Sequence, residues 1–361
     1  MLKCESIWCD KLNIYNPYND PWSEKLSKNI PIFDKQAFKK FQKYNFIYDK
    51  LFVAKSQNIN CGTLDSINVK DVDYPIFIKP RYGHKTSSSR NCIKIENESD
   101  LLRHIHEKDM MWSEFIDDRE GMVDYFIHNG KIVHQLTYIY SPEQNGSIAD
   151  IWKDISPSNK PPPEIDTWVK NHLKGYNGVC NVQYRGSTII EVGLRLARSG
   201  AYVYSTNNTK LIRALNDLVD NQNWNYKLSE TDLNFKNFFS FKCQINTPIL
   251  YIFPQYVMDA IMKSNGCKEF YEYYFEPNGK GDKMVCFQFF HEDFEKGLLT
   301  KNKIEKLFNF TQTLFIIMFM ISIIFILRFK NYKPMIITTS LFLTRFLNPL
   351  STNYKMYKNN T

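Results

Sequence analysis

The stretch "IIEVGLRLARSG", Ile189 to Gly200, begins as an apolar strand and then places Glu191, Arg195 and Arg198 in quick succession. Side chains of these types can hold a hard cation and an anionic group, or simply mark the point where a strand reaches water. Just upstream, "NVQY" carries Gln183, and "RGS" reads as the turn between the two strands. Side chains alternate along a strand, so antiparallel neighbours joined by this turn bring Gln183 and Glu191 onto one face. Three further stretches carry candidate groups. "FIYDKLFVAKSQNI" supplies Lys50, and "PIFIKPRYGHKTSSSR" supplies Lys79 at a strand end followed by a small-residue loop with Ser87, Ser88 and Ser89. "WSEFIDDREGMVD" supplies Glu114, Phe115, Ile116 and Glu120. Taken singly, each is also what a snorkelling lysine, a linker or a solvated turn looks like.

The elements that must position them follow from periodicity. A helical pattern runs through "KQAFKKFQKYNFIYDKLFVAKSQNI" and leads to strand "YPIFIKP". After the Ser-rich loop come strand "CIKIE", helix "SDLLRHIHEKD" and strand "MMWSEFI". Asn129-Gly130 predicts a tight hairpin within "GMVDYFIHNGKIVHQLTYIY". A loop, "SPSNKPPPE", precedes a helix ending near Lys174, and then come the strands of Gln183 and Glu191. Residues 231–300 read as further β structure with a hairpin around "EPNGKGD". The expected class is α+β with mostly antiparallel strands.

Charge is unevenly placed. The chain has 361 residues and a net charge of +8, all of it carried by residues 301–361. The first 300 residues balance to zero, which argues against a nucleic-acid footprint on the main domain. "LFNFTQTLFIIMFMISIIFIL", residues 307–327, has no charged residue and is flanked by lysines and Arg328. As a helix it is long enough to cross a bilayer core, or to be a buried core helix. A second apolar stretch, 334–350, contains Arg345 and could close a hairpin. Both flanks of the first span are basic, so charge bias does not orient it. The eight cysteines form no CxxC pair and are expected to be free thiols in a reducing compartment. The N-terminus has no apolar signal-peptide core. The scarcity of Ala beside abundant Asn, Lys, Ile, Tyr and Phe is the bias of an AT-rich genome, such as a large DNA virus or a protist. Met110 and Met111 are expected in the core, and His291 with Asp293 in a polar turn.

In this order the four stretches resemble the ATP-grasp superfamily of carboxylate–amine ligases, in the style of carbamoyl-phosphate synthetase and biotin carboxylase. The resemblance covers residues 45–215 and rests on order rather than on any one motif. It implies two α+β subdomains sandwiching ATP, with magnesium. Lys50 and Lys79 would contact the nucleotide phosphates, and the loop with Ser87, Ser88 and Ser89 would be the triphosphate lid. Glu114, Phe115 and Ile116 would line the hinge that holds adenine, and Glu120 would bind ribose. Gln183 and Glu191 would be the magnesium positions. Arg195 matches the Arg of the Glu-x-Asn-x-Arg strand end and would stabilise an acyl intermediate, with Arg198 a clamp for a substrate carboxylate.

Three departures stand out. Gly193 replaces the Asn of that strand end, only 29 residues separate Lys50 from Lys79, and the region before them is short for a full N-terminal domain. The expected organisation is a short N-terminal region (1–45), an ATP-grasp domain (46–230), a mainly β extension (231–300) and a membrane anchor (301–361). The expected function is a membrane-anchored ligase joining a carboxylate to an amine or thiol, with its domain facing the cytosol. The alternative is a catalytically inactive nucleotide-binding module serving as a membrane scaffold.

Overall fold

A computed structural model of the chain describes residues 25–31, 33–85, 92–142, 151–225, 227–246, 255–267, 271–277, 283–329, 333, 336 and 337. Two units are distinguishable: Pro21–Glu143 with Lys153–Asn237, and Gln144–Trp152 with Phe238–Asn359.

The first of these holds all the described candidate residues, on two antiparallel sheets, a helix and the segments that join them. The smaller sheet comprises β1 (Cys61–Thr63), β2 (Ile76–Pro80), β3 (Ile93–Ile95) and β4 (Met110–Glu114), in the order β1-β4-β2-β3. Its apolar face packs Leu64, Ile76, Ile78, Ile95, Leu101 and Met110 into a compact core.

The larger sheet contains β5 (Glu120–His128), β6 (Lys131–Tyr140), β7 (Trp152–Ile155), β8 (Gly178–Arg185) and β9 (Thr188–Gly193), ordered β7-β6-β5-β8-β9. Asn129 and Gly130 make the expected β5–β6 turn, both at positive φ (50° and 75°), as a two-residue hairpin of this twist requires. The period of two divides the sheet into unlike faces. Val123, Tyr125, Cys180, Val182, Tyr184 and Val192 form one side of a core with Ile165, Trp168 and Val169 from the helix Pro163–His172. Glu120, Asp124, Asn181, Gln183 and Glu191 alternate with them and line the other face. A bulge breaks the β8–β9 register: Gln183 pairs with Glu191 but Tyr184 pairs with Ile189, leaving Ile190 without a partner. The extra residue lets Ile189 and Val192 both reach the core.

The continuous helical pattern expected from residue 35 onward is broken into a helix Asp34–Lys40, a 3-10 turn Gln42–Tyr48 and a helix Lys50–Lys55. Asp49 causes the second break. Its carboxylate caps the backbone N–H of Leu51 at 3.0 Å and pairs with Arg81 through two bonds of 2.9 and 2.6 Å. The helix it starts lies between the two sheets: Val53 joins the large core, while Leu51 and Ala54 meet Met111 of β4. The expected helix "SDLLRHIHEKD" is shorter, Glu98–Leu102, and ends in turns where His104 bonds Glu107. Helices Ala201–Ser205 and Thr209–Asn221 follow β9.

The other unit has β10 (Phe238–Asn246), β11 (Tyr271–Pro277) and β12 (Lys283–His291), paired antiparallel in the order β11-β12-β10. It includes a helix, Gln255–Ser264, within the extension expected to be mainly β. A 36-residue helix, Phe294–Phe329, follows β12. Its first turns belong to the unit: Gly297 lies against the Phe241 ring, Ile304 and Phe308 are buried, and Glu305 accepts the backbone N–H of Gln244 at 2.7 Å. From Phe310 onward its large apolar side chains are mostly exposed, including Leu314, Ile317, Met320, Ile324 and Leu327. The helix is long and apolar enough to cross a membrane. Most of the second apolar stretch, 334–350, lies outside the described residues. His291, expected in a polar turn, is buried and structural: Nδ1 accepts from the Asp293 N–H and Nε2 donates to the Asn265 carbonyl.

Candidate functional site

Lys50 opens the helix between the sheets and is 6% exposed, with its ammonium 3.1 Å from Glu191 Oε2. Lys79 approaches from the end of β2, is 8% exposed, and donates to the carbonyl of Ile190 at 3.0 Å. Ile190 is the bulged residue, so the irregularity in the ladder supplies the acceptor for a buried ammonium. Gly83 closes the group: a Cβ there would meet Glu191 Oε1 at 3.4 Å and Lys50 Cε at 3.5 Å. Two lysines and a carboxylate from three separated segments thus converge, and Gln183 stands directly across the ladder from Glu191.

Burial pushes the Glu191 carboxyl up, but the Lys50 ammonium, its hydrogen bond and Arg195 outweigh it and hold the group below its usual range. Burial likewise disfavours the Lys50 ammonium, and Glu191 more than restores it. For Lys79 the attraction of Glu191 is too weak to do the same. Burial and the neighbouring Lys50 charge push it down to about 8. The unfolded chain keeps this proton up to about 10.5, so between the two values it binds more protons and stability rises with pH. Lys79→Met, which removes the charge, should therefore lose about 2–3 kcal/mol of its stability relative to the parent between pH 7 and pH 10. Urea unfolding of both proteins at the two pH values measures this, and a constant difference would contradict it.

Arg195 lies beyond the end of β9 and is largely engaged. Its Nε and Nη2 donate to Asp34 Oδ2 at 3.1 and 2.9 Å, and its Nη1 donates to Asn181 Oδ1 at 3.2 Å. Asn181 passes the chain on to Asp124 Oδ1 at 2.9 Å. The fully buried Asp124 also accepts from Tyr138 and the Ala197 N–H. Burial pushes the Asp124 carboxyl up to about 6 despite these hydrogen bonds. Burial also raises Asp34, opposed by Arg195 and reinforced by the nearby Glu191 charge.

The remaining expected residues are spread differently. Glu120 is 7% exposed and paired with Arg185 at 3.0 Å, its partner in the β5–β8 register. Glu114, Phe115 and Ile116 lie where the chain leaves the small sheet for the large one. Glu114 is exposed, with its N–H on the Asn60 carbonyl, and the Phe115 N–H bonds Pro75. The Phe115 ring faces Lys94, whose ammonium is 4.4 Å from the ring centre. Ser87, Ser88 and Ser89 lie outside the described residues, as does the side chain of Arg198, whose backbone belongs to the 3-10 turn Ala197–Gly200. Asp34, Asn181, Asp124 and Arg185 escaped the sequence reading. Asn181 and Asp124 could have been found by alternation, since each sits on the strand face of an expected residue. Nothing local marks Asp34.

The structure can be set beside known ones. It matches the crystal structure of L-amino acid ligase from Bacillus licheniformis with a TM-score of 0.50, over 74% of this chain and 72% of that one, at 12% identity. It matches carboxyaminoimidazole ribonucleotide synthase from Aspergillus clavatus, complexed with ATP, with a TM-score of 0.50 at 9% identity, over 76% of this chain and 80% of that one. The chain has the ATP-grasp fold. No family model and no curated protein sequence matches the chain. The likeness therefore lies in the fold and not in sequence identity. Among the described residues no three His, Cys, Asp or Glu side chains are grouped to hold a metal ion.

Proposed function

We propose that this chain is an ATP-dependent ligase that joins a carboxylate to an amine, or to a thiol, releasing ADP and phosphate. The observation that carries the reading is the convergence of Lys50, Lys79 and Glu191 beside Gln183, on a fold shared with an L-amino acid ligase and with an ATP-bound synthase. A substrate carboxylate oxygen would attack the γ-phosphorus with ADP leaving, and the amine would attack the resulting acyl carbon with phosphate leaving.

The two buried lysines are suited to neutralising phosphate oxygens, because little solvent screens them there. Lys79 gains most, since an anion would restore the proton that burial disfavours. Glu191 and Gln183, opposed across the ladder, would hold magnesium, which when bound offsets the charge on the transferring phosphoryl group. Three of the five guanidinium N–H groups of Arg195 are spent on Asp34 and Asn181, and the other two could meet an acyl oxyanion. Glu114 to Ile116 at the crossing between sheets would receive the adenine, Glu120 the ribose, the loop with Ser87, Ser88 and Ser89 would close on the triphosphate, and Arg198 would clamp the substrate carboxylate.

The deciding experiment is ADP release from MgATP, screened over pairs of amino acids and small acids. Turnover with at least one pair is expected, and no ADP with any pair from folded protein would overturn the reading. Gly193, which offers no side-chain oxygen, favours a second reading as an inactive nucleotide-binding scaffold at a membrane. MgATP-dependent thermal stabilisation without turnover is its signature.

The exposed apolar half of the helix Phe294–Phe329 supports membrane anchoring, with the nucleotide domain on the ATP-containing cytosolic side. The packed half sets where a truncation must fall. Ending the chain after Asn309 keeps Ile304, Glu305 and Phe308 and removes the exposed apolar run that begins at Phe310. The truncated chain should stay in the supernatant when spun with liposomes and melt within roughly 3 °C of the full chain, which should sediment. Equal sedimentation of the two would refute the anchor.

A further inference from the structure

Within Glu191-x-Gly193-x-Arg195 the middle position has no side chain, but the space beside it is filled. A Cβ built on Gly193 would lie 2.5 Å from Asp34 Oδ1, nearer than any real contact allows. Residues 191 and 193 project to the same face of β9, so Asp34 Oδ1 sits beside Glu191 where a residue-193 side chain would stand. Asp34 comes from the helix Asp34–Lys40, and its contact with Arg195 spans 161 residues of sequence. Its two oxygens differ. Oδ2 takes both hydrogen bonds from Arg195, whereas Oδ1 is buried and has no hydrogen-bond partner. A buried carboxylate oxygen without a partner is costly, and more so beside a second carboxylate. A divalent cation would satisfy both.

We propose that Asp34 replaces, from another element, the oxygen that Gly193 lacks, making Asp34 Oδ1 a third protein oxygen for a divalent cation alongside Glu191 and Gln183. The inference rests on the nucleotide-site reading above. Two carboxylates and an amide are hard oxygen donors suited to magnesium or manganese, which complete their shells with water and phosphate. Arg195 is then the group that aims Asp34, holding Oδ2 so that Oδ1 faces the β9 edge. The geometry also explains why position 193 is glycine: a side chain there and Asp34 exclude each other.

The test is binding of Mn2+ with a non-hydrolysable ATP analogue, read by electron paramagnetic resonance of free Mn2+, with the analogue's own affinity measured by calorimetry. The proteins are the full-length parent, Asp34→Ala, Gly193→Ala, Glu191→Gln and the double variant Asp34→Ala/Gly193→Asn, each checked by thermal melt. Asp34→Ala should weaken Mn2+ at least about tenfold, and the double variant should recover it to within about threefold by returning an oxygen to β9. Gly193→Ala keeps the Arg195 partner but displaces Oδ1, and should weaken Mn2+ similarly, so the idea stays testable even where Asp34→Ala does not fold. Unchanged Mn2+ affinity in Asp34→Ala and Gly193→Ala, with loss in Glu191→Gln, would sink the role of Asp34 and leave the nucleotide site standing. No Mn2+-dependent binding of the analogue by the parent would overturn both.

Discussion

Glu191→Gln is expected to lower the rate of ADP release at least about 10³-fold. Three effects combine at this residue. The substitution removes a charged oxygen from the face shared with Gln183, where a cation would need it. It takes the counter-ion from Lys50, which is 6% exposed and 3.1 Å from that carboxylate. It also leaves Lys50 and Lys79 as two buried ammonium groups with no carboxylate between them. In the free protein, burial and mutual repulsion would then push their protons off, so the pair that meets the phosphates is no longer charged in advance. Losing one preorganised charge at a developing oxyanion typically costs 10²–10³-fold, and here two or three are affected together. The check is single-turnover ADP release at saturating MgATP, alongside circular dichroism to confirm folding. A loss of less than about tenfold would mean that Glu191 is a structural partner of Lys50 and little more.

Arg195→Met should lower stability by about 3–5 kcal/mol, a drop of roughly 10 °C in melting temperature. The guanidinium is 19% exposed and holds Asp34 and Asn181 together, so its removal leaves a mostly buried carboxylate with no partner on either oxygen. Removing one member of a buried pair costs far more than replacing both with apolar groups. The double variant Arg195→Met/Asp34→Leu should therefore regain at least half of the loss. Urea unfolding of the parent and the two variants tests this. A single variant within 1 kcal/mol of the parent would show that the pair carries little of the fold.

Much of this site was legible in one dimension because its signals are local. Alternation on β8 and β9 placed Gln183 and Glu191 on one face, and the register sets them directly opposite. Asn129-Gly130 announced its hairpin, since few residue pairs tolerate two positive φ angles in succession. The apolar run from residue 307 announced a long helix, because it continues to residue 327 without a charged residue. Lys50 and Lys79 were found by their order along the chain, and they do converge.

Other features have no local signature. The break at Asp49 depends on Arg81, an ion pair across 32 positions, so the helical pattern from residue 35 looked continuous. The bulge at Ile190, which frees a carbonyl for Lys79, is a matter of strand register. Where the helix Phe294–Phe329 passes from packed to exposed is decided by what β10 covers.

By itself, then, the sequence determined the strands that carry Lys79, Gln183 and Glu191, their faces, the order of the candidate groups and the gap at Gly193, but not the short strands β1 and β7. Periodicity and spacing are properties of the chain, and they survive without knowledge of its path. Only the tertiary structure decided what fills that gap. Asp34 reaches Gly193 through the packing of an N-terminal helix against a strand edge, and no spacing rule connects residues held together only by the fold.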